Sequence, residues 1–222
     1  MDGLLINTED MYTVAINKVL EAHDKGTMSW DLKLQLQGLP GPEAGRKVIE
    51  YYDLPLSFEE FDTLNRKHQA ILWPTSKFLP GTLELIAYLK ERNVPIALCT
   101  SSTVEKFHHK TSHLTEAFKA FDVIITGDDP RIPKGRGKPF PDIWQLGLKE
   151  LNAKFNTDIE SNECLVFEDG IPGVNAGKSF GAYVIWVPHK DAIALVKDHK
   201  ILGDRGEMLE SLEHFDRSKF GL

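Results

Sequence analysis

Between residues 10 and 23, apolar side chains fall at Met11, Val14, Ala15, Ile16, Val19, Leu20 and Ala22, the three-and-four spacing of a helix that buries one face. The same texture predicts helices over 29–37 and 43–52, with Gly38-Leu39-Pro40-Gly41-Pro42 breaking the chain between them. Ser57-Phe58-Glu59-Glu60 reads as a capping box that opens a helix reaching Leu72, and Pro74 limits its extension. From Pro80 onward the pattern changes. Helices are predicted over 82–91, 104–118, 141–151 and 174–180, and they alternate with apolar runs at 95–99, 123–126, 164–167 and 183–187. These runs have little or no polar face, so each reads as a strand covered on both sides. Buried strands separated by helices imply an α/β fold with a doubly wound, Rossmann-like parallel sheet.

Composition sharpens the class. At 222 residues with 41% apolar side chains, the chain is long enough for one large domain or a domain carrying an insertion. Asp and Glu outnumber Lys and Arg by 33 to 26, a net charge of −7, which argues against nucleic acid or an anionic membrane as partner. A small anionic substrate needs only a local positive site. Two cysteines, Cys99 and Cys164, exclude a disulfide-rich scaffold. No apolar run is long enough to span a bilayer, and the first residues lack the basic and apolar regions of a signal peptide. A cytoplasmic monomer is the expectation.

In parallel sheets, ligands sit beyond the carboxyl ends of the strands. Thr100-Ser101-Ser102 follows the first run, and Gly127-Asp128-Asp129 and then Lys138-Pro139 follow the second. Glu168-Asp169-Gly170 follows the third, and Asp2-Gly3 stands at the start. Hydroxyls and backbone N–H groups at a helix start bind phosphate oxygens, a lysine neutralises a transferring phosphoryl group, and clustered carboxylates hold Mg²⁺. Taken singly, each piece is an ordinary cap, loop or turn; their weight lies in their order at successive strand ends. His109 and His113, four apart on a helix, lack a third ligand nearby and read as a solvated face.

That order resembles the four motifs of the haloacid dehalogenase superfamily. The matching segments are Asp2-Gly3-Leu4-Leu5-Ile6-Asn7-Thr8-Glu9, Thr100-Ser101-Ser102, Gly137-Lys138-Pro139-Phe140-Pro141-Asp142 and Val166-Phe167-Glu168-Asp169-Gly170-Ile171-Pro172-Gly173-Val174. Within the superfamily the chain is most similar to pseudouridine-5′-phosphatase-type enzymes, through Ala97–Ser102, Lys110-Thr111-Ser112 and Thr126-Gly127-Asp128-Asp129-Pro130. The resemblance implies a core made of residues 1–9 and 79–222, with a helical cap over 10–78. It also implies a Mg²⁺-dependent phosphatase of small phosphorylated metabolites, acting through an aspartyl-phosphate.

Asp2 would be the acid/base, with its backbone carbonyl on the metal; Asp169 and Glu168 would supply carboxylates. Thr100 and the Ser101 N–H would hold phosphate, and Lys138 would stabilise the transferring charge. The motif's nucleophilic aspartate would fall immediately ahead of Met1, so the chain as written is expected to be inactive. Either the start is artificial or the protein is a catalytically dead relative, and the completeness of the other motifs favours the former. A sugar-phosphate mutase and a non-catalytic phosphometabolite-binding protein are the competing expectations.

Overall fold

The computed structural model describes residues 1–36, 41–193 and 199–222. The first helices are α1 (Thr8–Glu21), α2 (Trp30–Leu36), α3 (Gly41–Tyr52) and α4 (Phe58–Leu72). The expected end of α2 at Gln37 and most of the break after it lie outside the described residues. The capping box at α4 forms: Ser57 accepts the Glu60 N–H at 3.2 Å, and the Glu60 carboxylate accepts the Ser57 N–H at 2.8 Å. Ile16, Val19, Leu20, Leu32, Val48, Leu54 and Phe61 form a hydrophobic cluster within these helices. α1 begins at Thr8, so one helix runs from the acidic first segment into this cluster.

The remainder alternates as the apolar pattern demands. In order come α5 (Thr82–Glu91), β1 (Ala97–Cys99), α6 (Val104–Thr111), α7 (Thr115–Phe118) and β2 (Val123–Ile125). Then follow α8 (Asp142–Phe155), β3 (Leu165–Glu168), α9 (Ile171–Phe180), β4 (Tyr183–Trp186), α10 (Lys190–Ile193) and β5 (Gly206–Met208). All strand pairings are parallel. The helix expected over 104–118 is two pieces. Thr103 caps α6 by accepting the Lys106 N–H; past Thr111 the chain turns, where Ser76 Oγ donates to the Lys110 carbonyl and the His113 ring lies 2.8 Å from the Ser76 carbonyl.

The sheet is interrupted. β1 pairs with β2, while β3, β4 and β5 form a separate group. Residues of β1 and β3 line one shared apolar cavity of about 470 Å³, with α8 contributing Trp144, Gly147 and Leu151. The Trp144 indole N–H is buried without a hydrogen-bond partner. Met1, Leu4 and Leu5 line a second, smaller space between the same strands. A larger core nevertheless unites Leu4, Leu5 and Ile6 with Leu85, Leu98, Phe118, Ile185 and Leu212. Among the described residues, no helix is long and apolar enough to cross a membrane.

Candidate active site

The first six residues form a tight turn in which the Leu5 N–H donates to the Met1 carbonyl and the Gly3 N–H to the Ile6 carbonyl, both at 2.9 Å. Gly3 has φ +69°, and a Cβ there would press on the Asp169 carboxylate and on Glu9, so glycine is needed for both conformation and space. The turn presents Asp2 to three donors. Thr8 Oγ1 and Lys110 Nζ donate to its Oδ1 at 2.5 and 2.6 Å, and Ser102 Oγ donates to its Oδ2 at 2.9 Å. Lys110 also donates to Ser102 Oγ at 3.0 Å and is completely buried under the rings of Tyr12 and Trp73. Burial pushes the Asp2 carboxyl up, but the Lys110 ammonium, the N-terminal ammonium and the hydrogen bonds from Lys110 and Thr8 together outweigh it and hold the group well below the usual carboxylate range.

Lys138 forms the second buried pair. Its ammonium donates to Glu168 Oε1 at 2.5 Å and to the Cys99 carbonyl at the end of β1 at 3.0 Å, with the Trp144 ring 4.6 Å away. Glu168, expected to assist a metal, is thus engaged by Lys138. It also packs on the start of α9, where a Cβ at Gly173 would strike its carboxylate.

Asp169 differs. Its carbonyl accepts the Trp186 indole N–H at 2.8 Å, but its carboxyl is pushed up to about 8 by burial, then by Glu9 and Glu168. Glu9 is raised as well, chiefly by burial, with Lys33 opposing. Lys33, on α2, is buried and donates to the Glu9 carbonyl at 3.2 Å.

Asp2, Lys138, Glu168 and Asp169 therefore meet around the carboxyl ends of β1 and β3. Thr100 joins them indirectly: it is buried, and its Oγ1 accepts the Ser102 N–H at 3.2 Å. Ser101 is exposed, and its carbonyl packs so closely on Gly127 that a Cβ there has no room. The serine that touches Asp2 is Ser102. Sequence reasoning did not assign a role to Thr8, Glu9, Lys33, Ser102 or Lys110. Ser102 and Lys110 stand inside the family-like segments, whereas the burial of Lys33 has no signal in a charged residue on a short helix.

Among the described residues, no cluster of three or more His, Cys, Asp or Glu side chains is arranged around a common centre. Mg²⁺ is commonly held without such a cage, through one or two carboxylates, water and substrate phosphate. A buried Asp169 with Glu9 and Glu168 near it offers hard oxygen donors whose negative charge is disfavoured without a counterion, which fits such a cation.

Comparison with known proteins agrees with this architecture. A family profile described as haloacid dehalogenase-like hydrolase matches residues 1–187. A probable pseudouridine-5′-phosphatase of Saccharomyces cerevisiae is 61% identical over 100% of this chain and 94% of its own. A (DL)-glycerol-3-phosphatase of Arabidopsis thaliana is 31% identical over 100% of this chain and 89% of its own. The crystal structure of CbbY from Rhodobacter sphaeroides in complex with phosphate superposes with a TM-score of 0.72 at 22% identity, covering 100% of this chain and 96% of that one.

Proposed function

Because the chain belongs to the haloacid dehalogenase-like hydrolases, we propose that it serves as a Mg²⁺-dependent phosphatase of small phosphorylated metabolites, pseudouridine 5′-phosphate and sugar or polyol phosphates among them. The observation that carries this reading is Asp2, a carboxylate fixed through both oxygens at the rim where the buried pair Lys138–Glu168 and the crowded Asp169 converge.

Thr8, Ser102 and Lys110 set the orientation of Asp2 before substrate arrives. In its ionised form the carboxylate can accept a proton from the water that attacks a phosphoenzyme. A phosphate dianion arriving in front of it raises its proton affinity, which suits the acid half of the cycle, protonation of the leaving oxygen. Lys138 lies where it can exchange its bond to Glu168 for a phosphoryl oxygen, and Thr100 and the Ser101 N–H would hold the others. Asp169 and the Asp2 carbonyl would hold Mg²⁺, with Glu168 available once Lys138 turns to phosphate; the ion supplies charge neutralisation at the phosphoryl group. Residues 10–78, with their own apolar cluster, would act as a cap that excludes water.

The family's nucleophilic aspartate falls one position ahead of Met1. A covalent step of the family's kind would use a carboxylate at that position.

The test compares phosphate release by the 222-residue chain and by one extended with an apolar strand ending in Asp. Phosphorylated nucleosides, sugars and polyols are assayed with and without Mg²⁺. Release confined to the extended chain with Mg²⁺ supports the proposal. Silence of both chains on all substrates, with phosphate still bound, would favour a non-catalytic binding protein.

A further inference from the structure

Leu32, on α2, belongs to the apolar cluster of the first four helices, whereas Val187, just after β4, belongs to the larger core of the strand part. The backbone passes between the two parts at Asn7 and Lys77. There the Asn7 N–H donates to the Lys77 carbonyl at 3.1 Å, and the Lys77 N–H donates to Asn7 Oδ1 at 2.8 Å.

A further connection is made by side chains. Trp30, the first residue of α2, stacks on the ring of His189, with centroids 4.6 Å apart and planes at 29°. The Asp191 N–H donates to His189 Nδ1 at 3.2 Å, so Nε2 carries the hydrogen shared with Asp10 Oδ1, on α1, at 3.0 Å. His189 of the strand part is thus gripped by two helices of the other part. Lys33 lies behind this contact. Its Nζ is 4.3 Å from the centre of the Trp30 ring and donates to the Glu9 carbonyl, and the residue is 5% exposed. Glu9 and Asp169 both act on its charge, so the contact stands beside the crowded carboxylates.

This joint is built differently from the clusters on either side. Trp30 and His189 are half-buried and carry polar edges, so parting them exposes little apolar surface and passes their hydrogen bonds to water. A stacked aromatic pair and a partly exposed ion pair are each weak. The joint can therefore part while both apolar clusters stay folded. We propose that Trp30, His189 and Asp10 form a catch that holds α2 against the strand part over Asp169, and that its release exposes Lys33 and admits ligand. That the ligand is a phosphate ester rests on the phosphatase reading; the catch itself does not.

The catch is tested without turnover. The 222-residue chain is pulse-labelled with an amine-acylating ester, and each lysine is read by peptide mass spectrometry. In the native chain Lys33 should label slowly and Lys18, with a side chain 56% exposed, quickly. His189→Ala leaves the Trp30 and Glu9 contacts of Lys33 in place and should speed its labelling about tenfold. Lys110, 0% exposed beside Asp2, should stay protected. Asp10→Ala serves as a second variant should the first fail to fold. The double variant should label no faster than His189→Ala alone, because Asp10 acts through His189. Lys33 labelling that is unchanged in the folded variants, or that rises equally with that of Lys110, overturns the catch.

In the extended chain, His189→Ala should raise KM for glycerol phosphate about fivefold with a smaller change in kcat, since fewer molecules hold the closed form that retains ligand. An unchanged KM beside faster Lys33 labelling would overturn the claim that the catch controls ligand. If no substrate is turned over while Lys33 labelling rises as expected, the phosphatase reading fails and the catch stands.

Discussion

Asp2, within the first turn, and Asp169, packed against Gly3 of that turn, stand in opposite electrostatic surroundings. Asp2 meets a buried ammonium and two hydroxyls, and every bond favours the ionised form. Asp169 is buried and lies near Glu9 and Glu168, with the nearby lysine engaged by Glu168; burial first and then these carboxylates raise its proton affinity. A carboxylate with its protein partners already in place is prepared for proton transfer and orientation. One whose ionised form is disfavoured by its surroundings gains most from a cation that replaces its proton. On the proposed function, the contrast divides the site into an acid/base half near Trp73 and Tyr12 and a metal half at the strand ends.

The largest effect should come from breaking the first half. Lys110→Met removes the cation from a buried pair and leaves Asp2 with two neutral donors, a change that typically costs about 3–5 kcal/mol. Urea unfolding of the 222-residue chain should show a loss of this size, and turnover by the extended chain should fall by more than about a hundredfold. A stability loss under ~1 kcal/mol would mean that the pair does not organise Asp2.

Lys138→Ala should act on the transition state. In the extended chain the expected outcome is a fall in kcat of about a hundredfold or more with a smaller change in KM. An unchanged kcat would reduce Lys138 to a structural partner of Glu168.

Asp169→Asn sharpens the other half. Calorimetric titration should show Mg²⁺ affinity weakened about tenfold or more, since a hard cation loses a formal charge from its ligands. The pH dependence has a definite sign. The Asp169 carboxyl, ordinarily near 3.8 and pushed up to about 8 in the folded protein, retains a proton that the unfolded chain has lost above about pH 4. The metal-free protein should therefore lose stability as pH rises from about 4 through about 8, and Asp169→Asn should flatten that slope. Added Mg²⁺ should restore stability at the upper end. A metal-free slope of opposite sign, traced to this residue, would contradict the crowded environment.

The smallest effect separates neighbours. Ser102→Ala deletes one hydrogen bond to Asp2 and should cost about 1 kcal/mol, whereas the exposed Ser101→Ala should stay within about 0.5 kcal/mol. Thermal unfolding of the two variants decides which serine the fold uses.

Features that depend on local chemistry were legible in the sequence. Ser57 with Glu60 marked the start of α4, the apolar runs marked β1 to β4, and the placement of Lys138 and Asp169 beside strand ends followed from the order of the segments. What was missed depends on long-range packing. The split between α6 and α7 is fixed where Ser76, distant in sequence, reaches Lys110 and His113. β5 pairs through Gly206-Glu207-Met208, three half-buried residues with no alternation to announce them. Lys110 carries the most important contact of Asp2, yet a lysine on a short helix gives no sign that it is buried, because tertiary neighbours alone decide that.

The most direct measurement is the effect of Asp2→Asn on phosphate release by the extended chain from two monoesters. One has a poor leaving group, glycerol, and the other a good one, p-nitrophenol. A general acid matters most where the departing oxygen most needs a proton. Turnover of glycerol phosphate should fall by about a thousandfold, and that of p-nitrophenyl phosphate by clearly less, with Mg²⁺ binding retained. Native rates on both substrates would contradict the role of Asp2 and with it the division of the site into an acid/base half and a metal half.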